Sequence, residues 1–359
     1  GGRHGGRRMS RKHFAWLLAV TLVVAALAVL MPSQTGDEGA FETAALLSGL
    51  EEQVNDIDWL QISAEGAVAA TIVRGKDGWT VEEAAGYRAD WPQLHQLLSD
   101  LVAAEVTEPK TANPDYYDRL GVEDTDKPGA AGVQLAFREA TGLPALILGN
   151  SAQGRNGQYA RTVGEAQSVL IDRELEIPRA AEDWLDRQII DIPDSEVVEI
   201  AITHIGGETV LAKKVSADDA NFELQNVPEG YEPASSYSVN SLADGLSSLE
   251  LDAVRAEGEI DWSGAVRFRL VTADGLNVEA DMVELAEGED EQHWLRIEAG
   301  VYATAVDKDI ETEGGEDASG RAQSINERVS GWAYRIPEYK YGAMTKRMDD
   351  LLREVEAEE

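Results

Sequence analysis

Cysteine is absent from all 359 residues. That excludes disulfides, thiolate metal sites and any lipid-anchored cysteine, so stability must come from packing. Histidine is sparse and scattered. His4 and His13 lie near the N-terminus, His95 sits in a helical pattern, and His204 and His293 belong to different strand patterns. No HExxH, HxH or GxSxG occurs, so zinc hydrolysis and a serine nucleophile elbow have no signature. Carboxylates are too abundant for a glycosidase pair to be singled out. Positive charge is the other shortage: 31 Lys and Arg stand against 67 Asp and Glu, a formal charge of −36. Five of those basic residues fall in the first 13 positions, leaving a net of −41 from Phe14 onward. Such a chain repels nucleic acid and anionic headgroups. Its acidity reads either as a solvated, salt-adapted surface or as a face for cations or a basic partner.

What is present begins with Phe14 to Met31, FAWLLAVTLVVAALAVLM, an uncharged run preceded by Arg7, Arg8, Arg11, Lys12 and His13. At about 1.5 Å per residue a helix of this length comes close to crossing a hydrocarbon core of roughly 30 Å. Basic residues before it and an acidic chain after it place the N-terminus inside and the remainder outside. Ala26-x-Ala28 lies within the apolar run rather than after it, which favours an uncleaved anchor over a cleaved signal peptide.

Residues 32 to 39, PSQTGDEG, read as a flexible linker. Beyond them, Ile57 to Ser63, Val68 to Arg74 and Trp79 to Glu83 form a strand meander. Asp90 caps a helix, WPQLHQLLSDLVAAE, with Trp91, Leu94, Leu97, Leu98, Leu101 and Val102 on one stripe. Asn113 to Gly121 is a short helix closed by glycine. Four strands follow, at Gly132–Arg138, Leu143–Gly149, Gln158–Thr162 and Gln167–Ile171, and Pro178 to Ile190 predicts a helical bridge anchored by Trp184. The pattern then restarts. Val197 to His204 answers Ile57 to Ser63, Thr209 to Val215 answers Val68 to Arg74, and Phe222 stands where Trp79 stood. Tyr237 to Leu249 answers the Trp91 helix, and Val266–Val271, Gly275–Val283 and His293–Ala299 answer the later strands. An offset of this size points to a duplicated unit rather than a short-period solenoid. Asp307 to Gly320 reads as a charged loop. The tail from Lys340 carries an amphipathic stripe, Met344, Met348, Leu351, Leu352 and Val355, that docks on the second unit or on a partner helix.

Several motifs invite chemistry. Gly149 to Asn156 has the glycine spacing of a phosphate loop, but Arg155 and Asn156 replace the required Lys and Ser/Thr, and strands follow, which favours a hairpin. Asp124 to Gly129 opens like a calcium loop, yet Pro128 fills a ligand position and Leu135 stands where the closing Glu belongs. The run Glu287 to Glu291 reads as a solvated hairpin tip. Tyr87, Trp91, Tyr116 and Tyr117 suggest either the edge of a carbohydrate- or peptide-binding groove or ordinary core and rim packing.

Taken in order, LLSGLEEQVNDIDWLQI, the Trp79 strand, WPQLHQLLSDLVAAEV, YYDRLGV, LILGNSAQGRNGQYARTVGEAQSVLI, WLDRQII and GWAYRIPEYKYGAMTKRMDDLL resemble the domain-of-unknown-function family 4340 of bacterial envelope proteins. Val122 departs from it, since Leu is commoner there. The resemblance implies a duplicated α+β ectodomain, often encoded beside an ABC-type permease of the gliding-motility kind, and it carries over no catalytic residues.

The expectations are therefore these. The fold is α+β: an N-terminal transmembrane helix, then a duplicated unit of mostly antiparallel sheets with helices on one face. The divisions are a basic N-terminus at 1–13, an anchor at 14–31, a linker at 32–40, a first unit at 41–177, a bridge at 178–192, a second unit at 193–338 and an amphipathic helix at 339–359. No catalytic, cofactor or metal residue is assigned. Ligand or partner contacts fall to Tyr87, Trp91, Tyr116, Tyr117, Met344, Met348 and Leu351. The expected function is a non-enzymatic periplasmic scaffold of an ABC-type transport complex in the inner membrane, with no nucleic-acid partner. A glycan- or peptide-binding module and an unrecognised envelope hydrolase are the alternatives.

Overall fold

The computed structural model describes residues 43–127, 129–287, 290–302 and 317–355. The basic N-terminus, the Phe14–Met31 run and its linker lie outside these residues. No helix among the described residues is long and apolar enough to cross a membrane.

The chain lays down β1 (Ala44–Ala45), a short helix α1 (Leu50–Gln53) and a meander of β2 (Trp59–Ala64), β3 (Ala67–Arg74), β4 (Trp79–Val81) and β5 (Tyr87–Arg88). Helix α2 (Trp91–Ala103), β6 (Glu105–Pro109) and the short α3 (Tyr117–Leu120) follow, then β7 (Val133–Phe137), β8 (Leu146–Ser151), β9 (Gln158–Thr162) and β10 (Ser168–Ile171). Alternation decides the strand faces: Leu60, Ile62 and Ala64 of β2, and Val133, Leu135 and Phe137 of β7, are buried while their neighbours are not. Helix α2 starts where Asp90 accepts the Gln93 amide at 3.0 Å, and Pro92 sits in the first turn, where its missing N–H costs nothing. Its stripe buries Leu94, Leu97, Leu98 and Leu101, whereas Trp91 is exposed.

The later strands are β11 (Gln188–Ile190), β12 (Val197–Thr203), β13 (Thr209–Lys213), β14 (Glu223–Leu224) and β15 (Tyr231–Pro233). Helix α4 (Ser236–Asn240) leads through a 3₁₀ turn to β16 (Leu249–Glu250), β17 (Ala253–Ala256), β18 (Val266–Thr272), β19 (Leu276–Glu287) and β20 (Asp290–Val301). Helix α5 (Ala318–Val329), β21 (Trp332–Ile336), α6 (Glu338–Met344) and β22 (Leu352–Glu354) complete the described chain.

The first sheet has the order β1-β6-β10-β9-β8-β7-β2-β3-β4-β5, and the second β14-β13-β12-β18-β19-β20-β21-β17. Every neighbouring pair in both is antiparallel. Eight strands of the first, β4-β3-β2-β7-β8-β9-β10-β6, follow the same order as the eight of the second. One apolar core, from Leu47 to Leu351, takes residues from both sheets.

The structure departs from the sequence expectations where local pattern gave way to long-range pairing. The tail over 339–359 is not one helix. Helix α6 ends at Met344, Arg347 is extended, and the Asp350 carboxylate takes the Arg347 amide at 2.8 Å to open a new 3₁₀ turn. Leu352 to Glu354 then pairs with β15, and residues 356–359 are not described. The bridge at 178–192 holds a single 3₁₀ turn, Ala181–Trp184, before β11, although Trp184 is its anchor, fully buried with its indole N–H donating to Pro178 at 3.2 Å. Residues 317–320 of the expected charged loop begin α5, because the Asp317 carboxylate caps Gly320 N at 2.8 Å. The counterpart of the Gln167–Ile171 strand is β21, displaced along the chain by α5.

Candidate functional site

Two constellations stand out, one between the sheets and one on the second sheet. The first is a joint. Tyr87 on β5 is fully buried, with Trp332 edge-on at 5.0 Å and Tyr334 at 6.0 Å, both on β21. The Arg88 guanidinium lies 4.5 Å over the Tyr87 ring. Its Nε meets Asp186 at 2.9 Å and its Nη1 donates to the Arg328 carbonyl at 2.8 Å. Arg328 of α5 meets the same Asp186 oxygen at 2.8 Å and also donates to the Gln188 and Ile189 carbonyls. Backbone bonds continue the contact, from Asp186 N to Arg88 O and from Asp90 N to Trp184 O. Burial pushes the phenols of Tyr87 and Tyr334 above their ordinary range, so both stay protonated at neutral pH. Planar guanidinium forks held by one carboxylate and several carbonyls fix orientation as well as distance.

The second constellation is a cleft on the outward face of the second sheet. Core side chains of β18, β19 and β20 alternate with charged ones, so Arg267, Asp281 and Arg296 stand side by side in one rung. Arg267 grips Asp281 with two bonds, at 2.7 and 3.2 Å, and also reaches Glu279 at 3.3 Å. Arg296 bonds Asp281 at 2.9 Å and Glu257 at 2.6 Å, with its guanidinium 5.0 Å from the Trp262 ring. Burial alone would raise the Asp281 carboxyl. The hydrogen bonds from Arg267 and Arg296 outweigh it and hold the group below the usual carboxylate range. With Glu298, Asn326, Ser330 and Gly331 these residues enclose a cleft of about 360 Å³.

The residues singled out from sequence do not form one groove. Tyr87 is sealed in the joint and cannot edge an open surface. Trp91 is 48% exposed, stacked on Trp79 at 6.2 Å with His95 at its edge. Tyr117 is buried beside Val122 and Ile147, with its hydroxyl on the Ala166 carbonyl, while Tyr116 is exposed beside Arg119. Met344 and Leu351 are buried and Met348 is half-buried, all against the main core. Gly245 makes room for Met344, since a Cβ there would come within 2.8 Å of its Cγ. These packed side chains offer no exposed stripe to a partner helix.

The decoy motifs resolve structurally. Gly149 to Asn156 spans the β8–β9 hairpin, and at Gly149 a Cβ would fall 2.2 Å from the Leu120 carbonyl. Asp124 is engaged by Arg161, which is itself buried and also donates to the carbonyls of Val122 and Glu165. Among the described residues no group of three or more His, Asp or Glu is arranged to hold a metal ion. Glu287 pairs with Asp290 at the end of the β19–β20 hairpin. His204 and His293 are buried, the former 3.2 Å from the Lys346 carbonyl, the latter against Tyr341 and 3.5 Å from Glu284.

Sequence reasoning passed over Arg88, Asp186 and Arg328, which carry no local signature. Arg267, Asp281 and Arg296 left a trace in VRFRL, NVEAD and WLRIE, three segments with charges at alternate positions on one strand face.

Comparison with known families adds one assignment. The family described as Domain of unknown function (DUF4340) matches residues 79–266, a span from β4 to the start of β18. The chain belongs to that family. The DUF4340 match therefore covers Tyr87, Arg88 and Asp186 of the joint but not Arg328, Trp332 or Tyr334, and it ends where the strands that build the cleft begin. No curated protein and no solved structure matches the chain.

Proposed function

We propose that this DUF4340 chain is a single-pass inner-membrane protein, anchored through Phe14–Met31, with its bulk in the periplasm. It works by binding rather than catalysis, as an accessory or scaffold subunit of an ABC-type transport complex. The observation that carries this reading is the joint around Tyr87, Arg88, Asp186 and Arg328, which fastens two large sheets over a shared core. A body with fixed surfaces on both sheets suits the task of holding a permease subunit or its cargo in register. The matching order of eight strands supports reading 41–177 and 193–338 as copies of one α+β unit joined at 178–192.

Affinity capture of the intact protein from detergent-solubilised membranes tests the proposal. A permease subunit should co-purify, and the same protein lacking residues 1–31 should appear in the soluble fraction. Recovery of the bait alone, from membranes where it is abundant, would refute the scaffold role. The cleft beside Asp281 favours a second reading, a module that binds a peptide or glycan.

A further inference from the structure

The second sheet carries a gap that the first lacks. In the first sheet β10 pairs along its whole length with β9, from Ser168–Arg161 to Ile171–Gln158. In the second, the corresponding β21 meets the twelve-residue β20 at three positions only, His293, Trp294 and Leu295. Further along, Asn326 of α5 stands in for the missing strand. Its side-chain oxygen accepts Ala299 N at 2.9 Å and its amide donates to Ala299 O at 2.8 Å. Backbone groups on one edge of an antiparallel strand recur every second residue. Leu295, Ile297 and Ala299 therefore turn their N–H and C=O toward the same edge. The first faces β21 and the third faces Asn326, but Ile297, between them, pairs with no strand there among the described residues. The Ile297 side chain belongs to the core, so what it contributes to the cleft is this backbone edge.

The open rung thus lies inside the cleft of about 360 Å³, between the side chains of Arg296 and Glu298. A backbone donor and acceptor presented together are complementary to another peptide group, the basis of strand addition at sheet edges. The surrounding charge selects further. Glu257, Glu279, Asp281 and Glu298 line the cleft against only Arg267 and Arg296, and both arginines are already held by carboxylates. An anionic ligand would meet an excess of negative charge, whereas an ammonium group would find it complementary.

We propose that this cleft binds a short peptide segment bearing an amino group, with one peptide unit docked on Ile297 and the ammonium among Glu257, Glu279 and Glu298. This goes beyond the scaffold reading and stands on a different face, so it needs no permease to be tested.

The experiment is calorimetric titration of the full-length protein in detergent with Ala-Lys-Ala amide, alongside its N-acetylated norleucine analogue, also a C-terminal amide. Saturable binding of the first, weakened by salt and lost in the analogue, is expected. Glu257→Gln combined with Glu298→Gln should weaken it about tenfold. Ser330→Trp, which fills the cleft from an exposed position and removes none of its charged residues, should abolish it. Unchanged melting temperatures would show that both variants are folded. No saturable binding up to millimolar peptide, undiminished binding in Ser330→Trp, or equal binding of the uncharged analogue or of lactose would each overturn the proposal.

Discussion

Asp281 is the residue on which the charged rung of the second sheet turns. It accepts from two arginines on opposite neighbouring strands, and its side chain is only 12% exposed. Its depressed pKa fixes the direction of its pH dependence. The unfolded chain would protonate it near the ordinary value of about 4, the folded chain only at lower pH. Its contribution is thus complete above that value and is lost as pH falls through the lowered folded one. Asp281→Asn should cost about 1–3 kcal/mol at neutral pH. Urea denaturation at pH 6 and pH 3 should show the difference from wild type shrinking in acid. A pH-independent difference would mean that the ion pairs contribute nothing specific.

Among the elements, α5 does the least expected work. Its amphipathic face buries Ala318, Ala322 and Val329, yet its polar residues tie the fold together. Arg321 reaches Glu196 at 2.6 Å and Asp274 at 2.9 Å, Arg328 enters the joint, and Asn326 closes the edge of β20. Asn326→Ala should cost about 1–2 kcal/mol, because two backbone groups of Ala299 would depend on water instead. Hydrogen exchange should report the change locally, with the Ala299 amide exchanging faster and amides of β2 unaffected. Unaltered protection at Ala299 would show that another group satisfies it. Sequence reading found α2 because cap, proline and leucine stripe agree. It passed over α5 because AQSINERV alternates apolar with polar residues too weakly to declare a face.

At the scale of the molecule, the joint decides whether the two sheets unfold as one. Asp186 bridges two arginines and is 29% exposed. Asp186→Ala would leave Arg88 and Arg328 facing each other without their shared carboxylate, at a cost of about 2 kcal/mol. Calorimetry should show one cooperative transition for the wild type and a broadened or split one for the variant. Two separate transitions in the wild type would mean that the sheets are independent bodies.

By itself the sequence determined the local matters. It set which segments alternate and so become strands, where Asp90 starts a helix, and that Gly149 to Asn156 turns rather than cradles phosphate. Each follows from period, capping or backbone freedom, which depend on near neighbours. Tertiary structure alone decided that Tyr87 is sealed against Trp332 and Tyr334 rather than edging a groove, and that Leu352 to Glu354 leaves a helical pattern to pair with β15. It also decided that Arg267, Asp281 and Arg296 meet in one rung beside an unfilled strand edge. An apolar or charged face announces that it must be matched but not by what, because the partner lies many residues away and is chosen by the packing of the whole chain.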